Sequence, residues 1–69
     1  MLYPNLSAEM SRMGYSVADL AAAWETTDRT ARNRINGTTD ITFAQCKKLR
    51  DALFVDMSLD YLFDTEPRP

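Results

Sequence analysis

Arg29, Arg32, Asn33 and Asn36 fall within one short stretch of this chain. Arginine pairs bidentately with guanine O6 and N7, and asparagine does the same with adenine N6 and N7. Asp28, just ahead of them, can accept a bond from cytosine N4 or serve a helix dipole. Thr27 and Thr30 have the length to meet phosphate oxygens. These side chains cooperate only if they share a face, and a helical wheel at about 100° per residue gives them one. With Ala31 at zero, Ile35 lies near 40°, while Arg32, Asn36, Arg29 and Asn33 span roughly 100° to 200°. Ala31 and Ile35 thus mark an inner face, and the arginines and asparagines an outer one. A solvated helix surface can carry the same residue types, so the face gains meaning only from what positions it. Further on, Lys47, Lys48 and Arg50 either extend a phosphate-contacting surface or form an ordinary solvated charged face.

Other chemistries find few residues to work with. The chain has no histidine, which removes the commonest general base and the usual Ser–His and Cys–His pairings. Its single cysteine, Cys46, can form no internal disulfide, and no four-ligand Cys/His metal site can be assembled. Cys46 sits in an apolar pattern and reads as a small core hydrophobe. The carboxylates are scattered, with no pair spaced for acid–base or metal chemistry. The expectation is a protein that is no enzyme and has no catalytic residues, no metal and no cofactor.

The 69 residues allow one domain, spanning 1–69, with a core over 5–64 and a frayed tail over 65–69 that carries Pro67 and Pro69. This leaves no room for a separate sensing domain, so no small-molecule ligand is expected. A formal net charge of −2 hides an asymmetry. Residues 27–50 hold six cations against two acids, a net +4, and the remainder holds two against eight, a net −6. A basic middle in an acidic chain fits one face meeting phosphate. No apolar run approaches the roughly 18 residues that would cross a membrane, and the start lacks a signal-like pattern. A cytoplasmic location follows, with no membrane partner.

The elements that must hold the outer face are helices, five of them and short. Leu6, Met10 and Met13 make one apolar stripe, with Pro4 and Asn5 just ahead of it and Gly14 as its left-handed terminator. Ser16 caps a second helix with Asp19 in a short-armed capping box, and Val17, Leu20, Ala21 and Trp24 form its buried face. That helix stops near Glu25. Thr27 caps a third helix, running to Asn36, and Asn36-Gly37 ends it. Thr42 with Gln45 is a capping box for a fourth, whose Phe43, Cys46, Leu49 and Leu53 share an inner side. Ser58 caps a last short helix with Leu59, Leu62 and Phe63 inward. Trp24 belongs to the core. Two helices linked within about three residues, 16–24 and 27–36, make a helix-turn-helix arrangement.

The run SVADLAAAWETTDRTARNRING, residues 16–37, resembles the helix-turn-helix of the Cro/CI-type (XRE) phage and bacterial repressors. The run LRDALFVDMSLDYLF, residues 49–63, is similar to the ending of small single-domain members, and the likeness covers about residues 5–64. The resemblance implies an all-α fold, a compact five-helix bundle of the lambda-repressor-like kind, whose third helix enters a DNA major groove. By position it implies that Thr27, Asp28, Arg29, Arg32 and Asn33 face bases or adjacent phosphates, and that Thr30 and Asn36 lie nearer the backbone. Ala21 would let the second and third helices approach closely, and Leu20, Ala31 and Ile35 would be core. Two positions depart from the family. Its members usually have glycine at the turn, where this chain has Glu25; a non-glycine residue held left-handed there costs about 1 kcal/mol. They often start the second helix with a phosphate-binding glutamine, where this chain has Val17. Both changes point to weaker or reorganised DNA binding.

Two function classes follow. One is a sequence-specific DNA-binding regulator, a repressor of phage, prophage or bacterial type associated with the nucleoid. It would read a pseudo-palindromic double-stranded operator with helix 28–36 and the flanking Lys47 and Lys48. The other is a helix-turn-helix scaffold serving as a protein-interaction module, an adaptor or antirepressor, which the acidic total, Glu25 and Val17 favour. A homodimer and a monomer are both compatible with the short apolar last helix.

Overall fold

Every helix in the computed structural model, which describes residues 1–66, begins at a residue suited to starting one. α1 (Pro4–Met13) has proline at its first position, where φ is already set and no backbone N–H is needed. α2 (Val17–Trp24) follows Ser16, whose backbone N–H donates to Asp19 Oδ2 at 2.8 Å. α3 (Asp28–Ile35) and α4 (Phe43–Leu53) follow Thr27 and Thr42, whose hydroxyls accept from the N–H groups of Thr30 and Gln45. α5 (Leu59–Leu62) follows Ser58, which accepts from the Tyr61 N–H in the same manner. Among the described residues there is no strand, and no helix is long and apolar enough to cross a membrane.

α2 is the centre of the bundle and packs on both α3 and α4, while α5 closes the other side against α1 and α4. Leu6, Leu20, Ala31, Leu49 and Leu62 are wholly buried, with Ile35, Phe54, Ala21 and Trp24 around them. Ala21 and Ala31 are small enough to let α2 and α3 approach closely, and their burial fixes which side of α3 faces out. Trp24 satisfies its indole N–H inside the core by donating to the Gln45 carbonyl at 2.7 Å, and this ties the end of α2 to α4.

Several expectations need correction. Pro4 and Asn5 do not precede the first helix but begin it, and Asn5 is buried, donating its amide to the Tyr61 carbonyl at 2.9 Å. Met13, expected in the stripe with Leu6 and Met10, is 45% exposed. It is the last residue of α1, where Gly14 turns the chain away in a left-handed conformation. Phe43, expected on the inner side of α4, is 74% exposed because it is the first residue of that helix, ahead of the turns that pack on α2. Val17 and Leu59 are only half-buried. α3 stops at Ile35, with Asn36 as a right-handed cap, and Gly37 alone takes the positive φ. A Cβ on Gly37 would meet only the tip of the exposed Leu2 side chain, Cδ2 at 2.9 Å, which can move aside, so the positive φ is what calls for glycine. The start of the chain is part of the fold: Leu2 N–H donates to the Ile35 carbonyl at 2.9 Å, and Tyr3 is buried edge-on against Phe63. Of the tail expected over 65–69, Thr65 and Glu66 are exposed, and 67–69 lie outside the described residues.

Candidate nucleic-acid interface

The outer face of α3 is built from its buried side outward. Ala31 and Ile35 are held in the core, and the 3.6-residue period then turns Arg29, Arg32 and Asn36 to solvent, with Asn33 half-covered. Asp28, at the first helical position, is exposed and places negative charge at the positive end of the helix dipole. Asn33 is held on its main-chain side, where its carbonyl accepts from the N–H groups of Thr38 and Thr39 at 3.0 and 3.3 Å. Thr27 and Thr30 are joined through their hydroxyls at 3.0 Å, Thr27 Oγ1 donating to Thr30 Oγ1 while accepting from the Thr30 N–H.

The cations divide sharply by partner. Arg12 is paired with Glu9, Lys48 with Glu25 and Arg50 with Asp51, at 2.7, 2.7 and 2.6 Å. Arg34 lies over the Trp24 ring, 5.2 Å from its centroid, on the flank of α3 away from Arg29 and Arg32. Among the described residues, Arg29, Arg32 and Lys47 have no internal ion-pair or ring partner. Asp28 stands four residues before Arg32, a spacing at which helical ion pairs form, yet the two are not joined. Two guanidiniums with no ion-pair or ring partner on one exposed stripe, with an amide beside them, make a surface that can donate to phosphates and base edges.

The residues singled out from the sequence therefore fall into two groups. Thr27, Asp28, Arg29, Thr30, Arg32, Asn33 and Asn36 lie on or cap one helix. Lys47 and Lys48 are exposed on α4, but Lys48 is engaged with Glu25. Arg34 was not singled out, and its signal was available: on the wheel it falls near 300°, between the inner and outer faces, beside an aromatic-bearing helix. The Glu25–Lys48 pair had no signal, because 23 residues separate its members. Contact with Lys48 holds the Glu25 carboxyl below its usual range, and burial pushes the Cys46 thiol up, away from a reactive thiolate.

A second surface feature lies at the far side of α4. Phe43, Cys46, Leu59 and Phe63 line an open groove of about 620 Å³, with Asp60 and Asp64 beside them. Among the described residues no three His, Cys, Asp or Glu side chains come together as a metal site. No family model matches this chain, and no curated protein or solved structure does either.

Proposed function

We propose that this chain is a helix-turn-helix DNA-binding regulator, acting as a repressor of phage or bacterial type, that reads a duplex major groove with the outer face of α3. The observation that carries this reading is the unpartnered pair Arg29 and Arg32 on the exposed stripe of a helix held at a fixed angle by α2. Guanine and phosphate can each engage a guanidinium bidentately, and both arginines are free to meet them. α3 is eight residues, or about 12 Å at 1.5 Å per residue, a length the major groove accepts end-on or along its floor. Arg29, Arg32 and Asn33 are the base readers in this reading; Thr27, Thr30, Asn36 and Lys47 hold the backbone. The likeness of residues 16–37 to the Cro/CI-type helix-turn-helix supports the same assignment. The molecule measures 32 × 22 × 21 Å. Two copies abutting along the 32 Å axis would set equivalent points close to the roughly 34 Å between half-sites of a pseudo-palindrome.

Selection from a random duplex library near physiological salt, followed by sequencing, tests this. Enrichment of a pseudo-palindrome with half-sites one turn apart supports a dimeric operator binder, and a single enriched half-site supports a monomeric reader. No enrichment by the folded protein overturns the reading. It would turn attention to the alternative of a protein-interaction module, which the exposed Phe43 over its acid-flanked groove favours.

A further inference from the structure

Glu25 is the one non-glycine residue with positive φ among the described residues, at φ 57° and ψ 46°. Two things about its position are unfavourable to the fold, and a third to an approaching phosphate. A side chain occupies a left-handed conformation; a carboxylate sits at the negative end of the α2 dipole; and the same carboxylate stands two residues ahead of Thr27, the cap of the helix that would approach phosphates. Its counterpart is Lys48, reached across the fold from α4 at 2.7 Å. The two side chains are 79% and 48% exposed, so water, salt and phosphate can all compete for the lysine.

We propose that the Glu25–Lys48 ion pair is a brake on duplex affinity. It withholds Lys48 from the phosphate backbone and keeps a negative charge beside the start of α3. This rests on the reading of α3 as the DNA-contacting helix. When duplex binds, Lys48 meets a phosphate with Glu25 either still beside it or released, and in both cases the carboxylate repels the same strand. The free energy of that contact is largely offset by this repulsion. Once the carboxylate is gone, Lys48 counts as a full phosphate contact, and the salt dependence of binding records it, because each phosphate neutralised releases counterions.

The probe is a fluorescein-labelled mixed-sequence duplex, titrated by anisotropy over a series of salt concentrations, with helix content of each variant checked by circular dichroism. Glu25→Gln should tighten binding about threefold or more and steepen the salt slope by about one unit. In the Lys48→Ala background the same change should give little of that gain. Asp56→Asn changes net charge equally but lies in the turn before α5, and should leave affinity within about twofold of the unaltered chain. Should Glu25→Gln fold poorly, Glu25→Gly makes the same charge change on a backbone that favours the left-handed turn. The brake is overturned if the Glu25 variants bind like the unaltered chain with the same slope. It is also overturned if their gain survives intact without Lys48, or if Asp56→Asn matches it. If the unaltered chain binds and an Arg29→Ala/Arg32→Ala variant loses that binding while Glu25 variants change nothing, the brake falls and the DNA reading stands. If neither the unaltered chain nor any Glu25 variant binds duplex, both fall.

Discussion

The side of the molecule formed by α1 and α5 and the outward side of α3 treat their polar groups in opposite ways. Between α1 and α5 the groups are consumed internally. Asn5 donates to the Tyr61 carbonyl, the Tyr61 hydroxyl donates to Glu9 at 2.9 Å, Glu9 also takes Arg12, and Tyr3 meets Phe63 edge-on at 5.3 Å. α5 has only four residues and cannot hold itself helical, so its place depends on these ties and on Leu62. Along α3 the inner face does all the packing, and the outer face leaves two guanidiniums unengaged. Arg12, Lys48 and Arg50 are each engaged by a carboxylate, and these two are not. Their freedom leaves both guanidiniums available to a partner, as the proposed reading of this face requires.

That contrast can be broken, first where the effect is largest. Leu62→Ala empties a fully buried site under α5 and should lower stability by about 2–5 kcal/mol, read by chemical denaturation. In a chain this short such a loss removes much of the folded population. Arg32→Ala should leave the denaturation curve unmoved and instead weaken operator binding by about 1–3 kcal/mol, with relaxed preference at one base pair. A large loss of stability from Arg32→Ala would erase the distinction between the two sides.

Smaller effects sharpen it. Glu25→Gly relieves a side chain in the left-handed region and should raise the melting temperature by on the order of 4–8 °C, the shift about 1 kcal/mol produces in a domain of this size. Glu25→Gln, which keeps the strained backbone, should not. The smallest effect belongs to Glu9, whose carboxyl is held below its usual range first by Arg12 and then by Tyr61. A depressed folded value means that the unfolded chain binds the proton more readily. The contribution is therefore complete above the unfolded value near 4.5 and is lost as pH falls through the lower folded one. Tyr61→Phe should lower stability near neutrality and converge with the unaltered chain at low pH, flattening that acid limb in a pH series of thermal melts.

Most of the helix pattern was legible because it depends on neighbours in the chain. Ser16 with Asp19 and Thr42 with Gln45 act across three residues, Thr27 caps from the next position ahead of its helix, and the structure keeps the two pairings and the cap. The outer face of α3 was legible for the same reason, since Ala31 and Ile35 alone orient the helix. The misreadings cluster at helix ends. Phe43 and Met13 fit their stripes by periodicity, but the first and last turns of a helix extend past the partner that covers its middle.

What the sequence by itself determined, then, is where this chain forms helices and which side of each is apolar, because capping and the 3.6-residue period are local. Only the tertiary structure decided which cations are free. Lys48 and Lys47 are adjacent and chemically alike, yet one is tied to a carboxylate 23 residues away and the other is not. Likewise Arg34 and Arg32 share a helix, and only Arg34 is claimed by an indole. Those outcomes depend on where α2 and α4 come to rest against each other, and contacts between distant segments exist only after the core has closed.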